Sequence, residues 1–151
     1  MSINDLYQEL IIDHGTCPRN FSLLENANKH AEGYNPLCGD KIILFLLIRD
    51  NQIIQATFQG HGCAISTASA SIMTEILVSK TVQEASQLFC DFTNVITESN
   101  QQERIQSPNL IFRLPDKLLA LAGVKNYPSR VKCATLAWHT LQSALTKDSQ
   151  T

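Results

Sequence analysis

An α+β fold, a small antiparallel sheet of about three strands with helices packed on one side, is predicted for this chain by three observations. A seven-residue apolar run, Ile42–Ile48, is too short and too uniformly apolar for an amphipathic helix and reads as a strand covered on most of its surface. A turn at Asp50-Asn51 follows, and then alternation over 53–59, which together make a hairpin. Helical spacing dominates before and after this cluster, so the helices segregate from the strands.

Taken in order, Ile3, Leu6, Tyr7, Leu10, Ile11 and His14 share one face of a first helix. Ser2 is its expected N-cap, and Gly15 and Pro18 are expected to stop it. Residues 15–28 read as loop. His30–Asn35 is the candidate third strand. In the hairpin, Ile54, Ala56 and Phe58 are expected to point one way, and Gln55, Thr57 and Gln59 the other. Gly60-His61-Gly62-Cys63 breaks the pattern, and residues 64–79 read as a helix whose first half is small, so that other backbone can come close. Thr81-Val82-Gln83-Glu84 is a capping box opening a helix to about residue 99. Residues 100–109 read as a surface loop. Pro115 is expected at the first position of a short helix through Ala122, closed by Gly123. The last helix is expected from near Pro128-Ser129, with Val131, Ala134, Trp138, Leu141 and Leu145 as its core seam, and a frayed tail from about residue 147. No repeat or linker divides the 151 residues, which suit one domain.

Composition narrows the function. Apolar residues make up 44% of the chain, enough for a real core. Twelve Lys plus Arg against fourteen Asp plus Glu give −2, without the basic surplus that nucleic acid would ask for. No apolar run approaches the ~18 residues of a membrane span. The N-terminal residues lack a basic region followed by an apolar one, so a cytoplasmic location is expected. Five cysteines, Cys17, Cys38, Cys63, Cys90 and Cys133, are then ligands, nucleophiles or core fillers, not a disulfide framework.

Cys38 and Asp40 sit in Asn35-Pro-Leu-Cys-Gly-Asp40, a turn ahead of a strand. Both side chains ligate zinc when ionised, although such a pair in a loop also arises by chance. Cys63 follows two glycines and opens a helix, where the dipole favours a thiolate; a small buried filler is the alternative. Cys133 lies beside the last helix's core seam, where plain packing competes with ligation, and Arg130 and Lys132 flank it. Together the three thiols and one carboxylate match the four ligands of a tetrahedral zinc site. Their spacing is far too wide for a local zinc knuckle, so such a site would be assembled by the tertiary fold. His61 is either an exposed loop histidine, a competitor with Asp40 for the same metal, or a hydrogen-bond donor to one of its ligands. His14 and His139 read as packed or solvated, His30 as surface, Cys90 as buried packing, and Cys17 as loop.

These segments, with Gly60-His-Gly-Cys-Ala-Ile-Ser-Thr-Ala-Ser-Ala-Ser71, Tyr127-Pro-Ser-Arg-Val-Lys-Cys-Ala-Thr-Leu-Ala-Trp138, and Asp13-His14 followed by Pro18-Arg19-Asn20, resemble the IscU/NifU-like iron–sulfur assembly proteins over almost the whole chain. Within that family the chain looks like the SufU branch: Lys132 stands where the IscU type has histidine, and the segment between the second and third cysteines is longer. The resemblance implies an IscU-like fold of the SufE/NifU type. It implies Zn²⁺ held by Cys38, Asp40, Cys63 and Cys133, and sulfur accepted on Cys38 from a SufS-type cysteine desulfurase. It also implies a supporting role for Arg130 and delivery to downstream iron–sulfur assembly proteins. Two alternatives stay open: a scaffold carrying a transient iron–sulfur cluster on the same cysteines, and a purely structural zinc site. Three thiolates, one carboxylate and Zn²⁺ sum to −2, so Arg130 and Lys132 are the expected compensating cations.

Overall fold

In a computed structural model, residues 3–36, 38–97 and 114–146 are described. The expected Ser2 cap, the 100–109 loop and the tail from 147 lie outside them. The elements are α1 (Ile3–Thr16), β1 (Lys29–Asn35), β2 (Asp40–Arg49), β3 (Gln52–His61), α2 (Ala64–Leu77), α3 (Val82–Thr97), α4 (Asp116–Leu121), two 3-10 turns (Ala122–Asn126 and Pro128–Arg130), and α5 (Val131–Thr146). The sheet order is β1-β2-β3, antiparallel throughout.

The hairpin forms as its turn chemistry dictates. Asp50 and Asn51 both take positive φ, 52° and 66°, the left-handed pair that matches strand twist in a two-residue turn. One expectation fails beside it. A register shift at Leu47/Ile48 leaves Ile54 as the unpaired residue of a bulge, so Ile53 is buried and Ile54 is exposed. Alternation resumes at Ala56 and Phe58, which face the core with Ala31, Ile42, Leu44 and Leu46.

Helices α2 and α5 pack on that face. The small first half of α2 does what its composition allows: Ser66, Ala68, Ser69, Ala70 and Ser71 are all buried. Ser69 donates to the Ala134 carbonyl (2.5 Å) and accepts from the indole of Trp138 (3.2 Å), joining α2 to α5 through polar atoms that would otherwise cost stability. The seam of α5 is buried at Ala134, Trp138 and Leu141, and Phe92 of α3 lies against Trp138 with ring centroids 5.2 Å apart. The capping box is formed in both directions: Glu84 accepts from the Thr81 N–H (2.9 Å) and Thr81 accepts from the Glu84 N–H (3.1 Å).

Smaller differences have local causes. Gly15 does not stop α1, which continues to Thr16; its missing side chain instead leaves room for Ala64 of α2, which a Cβ there would approach to 3.0 Å. Pro115 is the cap of α4 and not its first helical residue. The last helix proper begins at Val131, after a 3-10 turn that contains Pro128. Cys90 is exposed, not buried: α3 turns Ala85, Leu88, Phe92, Val95 and Ile96 inward, and residue 90 falls on the opposite side of that 3,4-spaced stripe. Among the described residues, no helix is long and apolar enough to cross a membrane.

Candidate metal centre

Three element ends meet at one rim of the sheet. The turn after β1 is closed by the Cys38 and Gly39 N–H groups donating to the Asn35 carbonyl at 3.3 and 2.8 Å. Gly39 takes φ +71°, a left-handed conformation that a side chain would strain, and this turns Asp40 inward as the first residue of β2. Cys38 is left exposed, whereas Asp40 is fully buried.

Opposite, β3 ends and α2 begins. Asp40 Oδ1 accepts the Cys63 N–H at 2.9 Å, and Cys63 Sγ in turn caps α2 by accepting the Ser66 N–H at 3.4 Å. Gly62 is required by this approach, because a Cβ there would run into the Asp40 carboxylate. The third side comes from the first turn of α5, where Cys133 is buried with its sulfur 3.4 Å from that of Cys38.

The ligand atoms of Cys38, Asp40 and Cys133 all lie within 4.8 Å of one another. Two sulfurs bonded to one tetrahedral zinc at 2.3 Å stand about 3.8 Å apart, so the 3.4 Å pair would open by only a few tenths of an ångström to hold one. Cys63 is not in this tightest group. It interacts directly with the Cys133 thiol but spends its sulfur on the α2 cap. His61, the other candidate competitor, is exposed at the end of β3 and joins no such group among the described residues.

The electrostatics call for a cation. Asp40 Oδ2 is buried without a hydrogen-bond partner, an expensive state for a carboxylate oxygen. Burial first, and then the neighbouring Cys38, Cys63 and Asp40 groups, push the Cys133 thiol well above the ordinary range for cysteine. A bound cation reverses that sign, since coordination deprotonates a thiol outright. Arg130 is exposed and hydrogen-bonds Cys133, which raises its own pKa further; Cys63 and Cys38 act on it in the same direction. The donor set, the orphaned oxygen and the adjacent guanidinium fit Zn²⁺ or another thiophilic metal.

A model of the NifU-like N terminal domain matches residues 6–134. The chain belongs to this family of iron–sulfur cluster assembly proteins. It is 36% identical over 145 residues to a Thermotoga maritima protein named as the iron–sulfur cluster assembly scaffold protein IscU, covering 96% of each chain. It is 33% identical over 147 residues to the zinc-dependent sulfurtransferase SufU of Bacillus subtilis, covering 97% of this chain and 94% of that one. A solved structure from Fervidobacterium islandicum, described as a putative scaffold for the SUF system, superposes with a TM-score of 0.78 at 36% identity, over 95% of this chain and 98% of that one. The α+β fold with a three-stranded antiparallel sheet is thus the fold of this NifU-like group.

Sequence reasoning passed over Tyr7. Its ring stacks on Tyr127 (centroids 5.8 Å apart, planes 15° apart), just ahead of the turn that carries Arg130. Its hydroxyl is buried without a partner. Burial first, then Tyr127 and Cys63, raises its pKa. Its place on the apolar face of α1 was legible; its nearness to the thiols depends on how α1 packs.

Proposed function

We propose that this protein is a zinc-dependent sulfur acceptor that takes persulfide sulfur from a cysteine desulfurase of the SufS type for iron–sulfur cluster assembly in the cytoplasm. The observation that carries the reading is the asymmetry of the site. Asp40 and Cys133 are buried, whereas the sulfur of Cys38, 3.4 Å from that of Cys133, is exposed on a turn. A partner's persulfide can reach Cys38 and cannot reach Cys133.

Zinc held by Cys38, Asp40, Cys63 and Cys133 would keep the sulfurs in the thiolate form that sulfur transfer needs. Cys63 would give up its cap on α2 to complete the set. Cys38 acts as the nucleophile. Its thiolate attacks the outer sulfur of the donor persulfide, a Cys38–sulfur bond forms, the donor's sulfur–sulfur bond breaks, and the donor cysteine leaves as thiolate. Arg130, beside Cys133, supports the negative charge that accumulates. The recipients are downstream iron–sulfur assembly proteins.

A second reading, a scaffold that builds a cluster on the same cysteines, is favoured by the scaffold name of the Thermotoga maritima relative. Thiolates suit both metals. The test is metal content of the protein purified without reconstitution, followed by titration into a cysteine desulfurase. One equivalent of zinc and rising desulfurase turnover, lost in Cys38→Ser, is the expected result. A brown, labile chromophore with unchanged turnover would establish the scaffold reading instead. A Cys38→Ser protein that accepts sulfur normally would overturn the assignment of the nucleophile.

A further inference from the structure

We propose that the cavity beside Cys38 is a subsite for a small anionic thiol, which removes the outer sulfur from Cys38. The inference rests on Cys38 being the persulfide carrier. The cavity measures about 440 Å³ and is lined by Asn35, Cys38, Pro128, Ser129, Arg130 and Lys132. That volume lies within the range of small-molecule sites.

Its chemistry selects the ligand. Two of the six lining residues are cations, and none is a carboxylate. Among the described residues, neither Arg130 nor Lys132 is in an ion pair with an acidic side chain. Pro128 to Arg130 lead into α5 and Lys132 lies in its first turn, where the dipole of this sixteen-residue helix adds positive potential. Cys38, the one thiol in the lining, is exposed. The arrangement is an anion site built against a sulfur atom.

An incoming thiolate must approach a centre that already carries excess negative charge, and a carboxylate on the same molecule suits the planar fork of Arg130 and the ammonium of Lys132. Its sulfur attacks the outer sulfur of the Cys38 persulfide. A new sulfur–sulfur bond forms on the small thiol, the bond from Cys38 Sγ to that sulfur breaks, and Cys38 leaves as thiolate with the electron pair. The thiol has lost its proton to solvent beforehand, and no oxidant or reductant is consumed.

The test uses the full-length zinc protein, with Cys38 persulfide formed by inorganic polysulfide and, separately, by a cysteine desulfurase; mass spectrometry confirms the load. Sulfur release is timed with 3-mercaptopropionate, 2-mercaptoethanol and cysteamine, each rate constant normalised to thiolate concentration and to the same thiol's rate with a free low-molecular-weight persulfide, which removes its intrinsic nucleophilicity. One well-placed charge pair is worth roughly a tenfold preference, so the anionic thiol should outpace the cationic one by about that factor at low salt. Its rate should also saturate with concentration. The ratio should fall toward one in Lys132→Glu and to an intermediate value in Lys132→Ala, each retaining its zinc and the buried-Trp138 fluorescence of the folded state. Equal normalised rates for the three thiols, or a preference untouched in both Lys132 variants, overturns the subsite and leaves the sulfur-acceptor reading standing. Failure of Cys38 to load from the desulfurase overturns both.

Discussion

Two polar clusters, one joining three helices and one at the rim of the sheet, differ in what they leave unfinished. At the first, His14 of α1 is fully buried. Lys117 Nζ has only hydrogens to offer, so at 3.2 Å it donates to His14 Nε2; the neutral ring then carries its proton on Nδ1 and donates to Ser71 Oγ at 2.7 Å. Ser71 Oγ also accepts the Arg19 N–H (2.8 Å), and Lys117 pairs with Glu75 (3.0 Å). Every buried side-chain polar atom of this cluster has a partner within the protein, and the result is a clamp between α1, α2 and α4. At the second, around Cys38, Asp40, Cys63 and Cys133, an Asp40 oxygen is buried with none. A closed network is complete without a ligand; an open one is built for something the chain does not contain.

The contrast can be broken most sharply at Asp40. Removing a metal's partner one shell out already costs 10–100-fold in affinity, so Asp40→Ala should weaken zinc binding by more than about 100-fold, measured by competition with a chromophoric chelator. His14→Ala should leave zinc stoichiometry unchanged and instead cost about 2–4 kcal/mol of stability, from lost packing and from partners left unpaired, read in urea by the fluorescence of the single tryptophan. The reverse pattern in these two variants would mean that the roles are exchanged.

If zinc fills the site as proposed, chelating it should lower the melting temperature while leaving a cooperative transition, because the apolar core from Ile42 through Trp138 is buried independently of the thiols. Unfolding outright on chelation would instead make the metal structural. A gentler probe is pH. Burial first, then Lys117 and Arg19, holds His14 below its ordinary value of 6.5, against the opposing pull of Glu75 and Asp13. The unfolded chain therefore takes a proton near that value which the folded chain refuses. This part of the stability is complete above pH 6.5 and falls as pH drops through the window below it, by about 1.4 kcal/mol per unit of separation. In His14→Gln that slope should disappear from the urea midpoints. The smallest effect belongs to neither cluster: Thr81→Ala, which removes half of a formed capping box, should cost about 1 kcal/mol without touching zinc or pH dependence.

Local chemistry explains why so much could be read from residue order alone. The Asp50-Asn51 turn, the Thr81–Glu84 box and the α5 seam each depend on neighbours within a few positions, and each stands as expected. The four candidate ligands could be named because their types and the segments around them carried the resemblance. What residue order could not supply was anything that depends on distant chain segments arriving together. The bulge at Ile54 depends on how β3 meets β2. The sulfurs of Cys38 and Cys133 belong to residues 95 positions apart in the chain, yet they lie 3.4 Å from each other, one exposed and the other buried. Cys63 spends its sulfur on a helix cap, and the cavity of Arg130 and Lys132 opens beside Cys38 and not elsewhere. Short-range preferences are written in adjacent residues, whereas burial and convergence are properties of packing, and packing exists only once the whole chain has closed around its core.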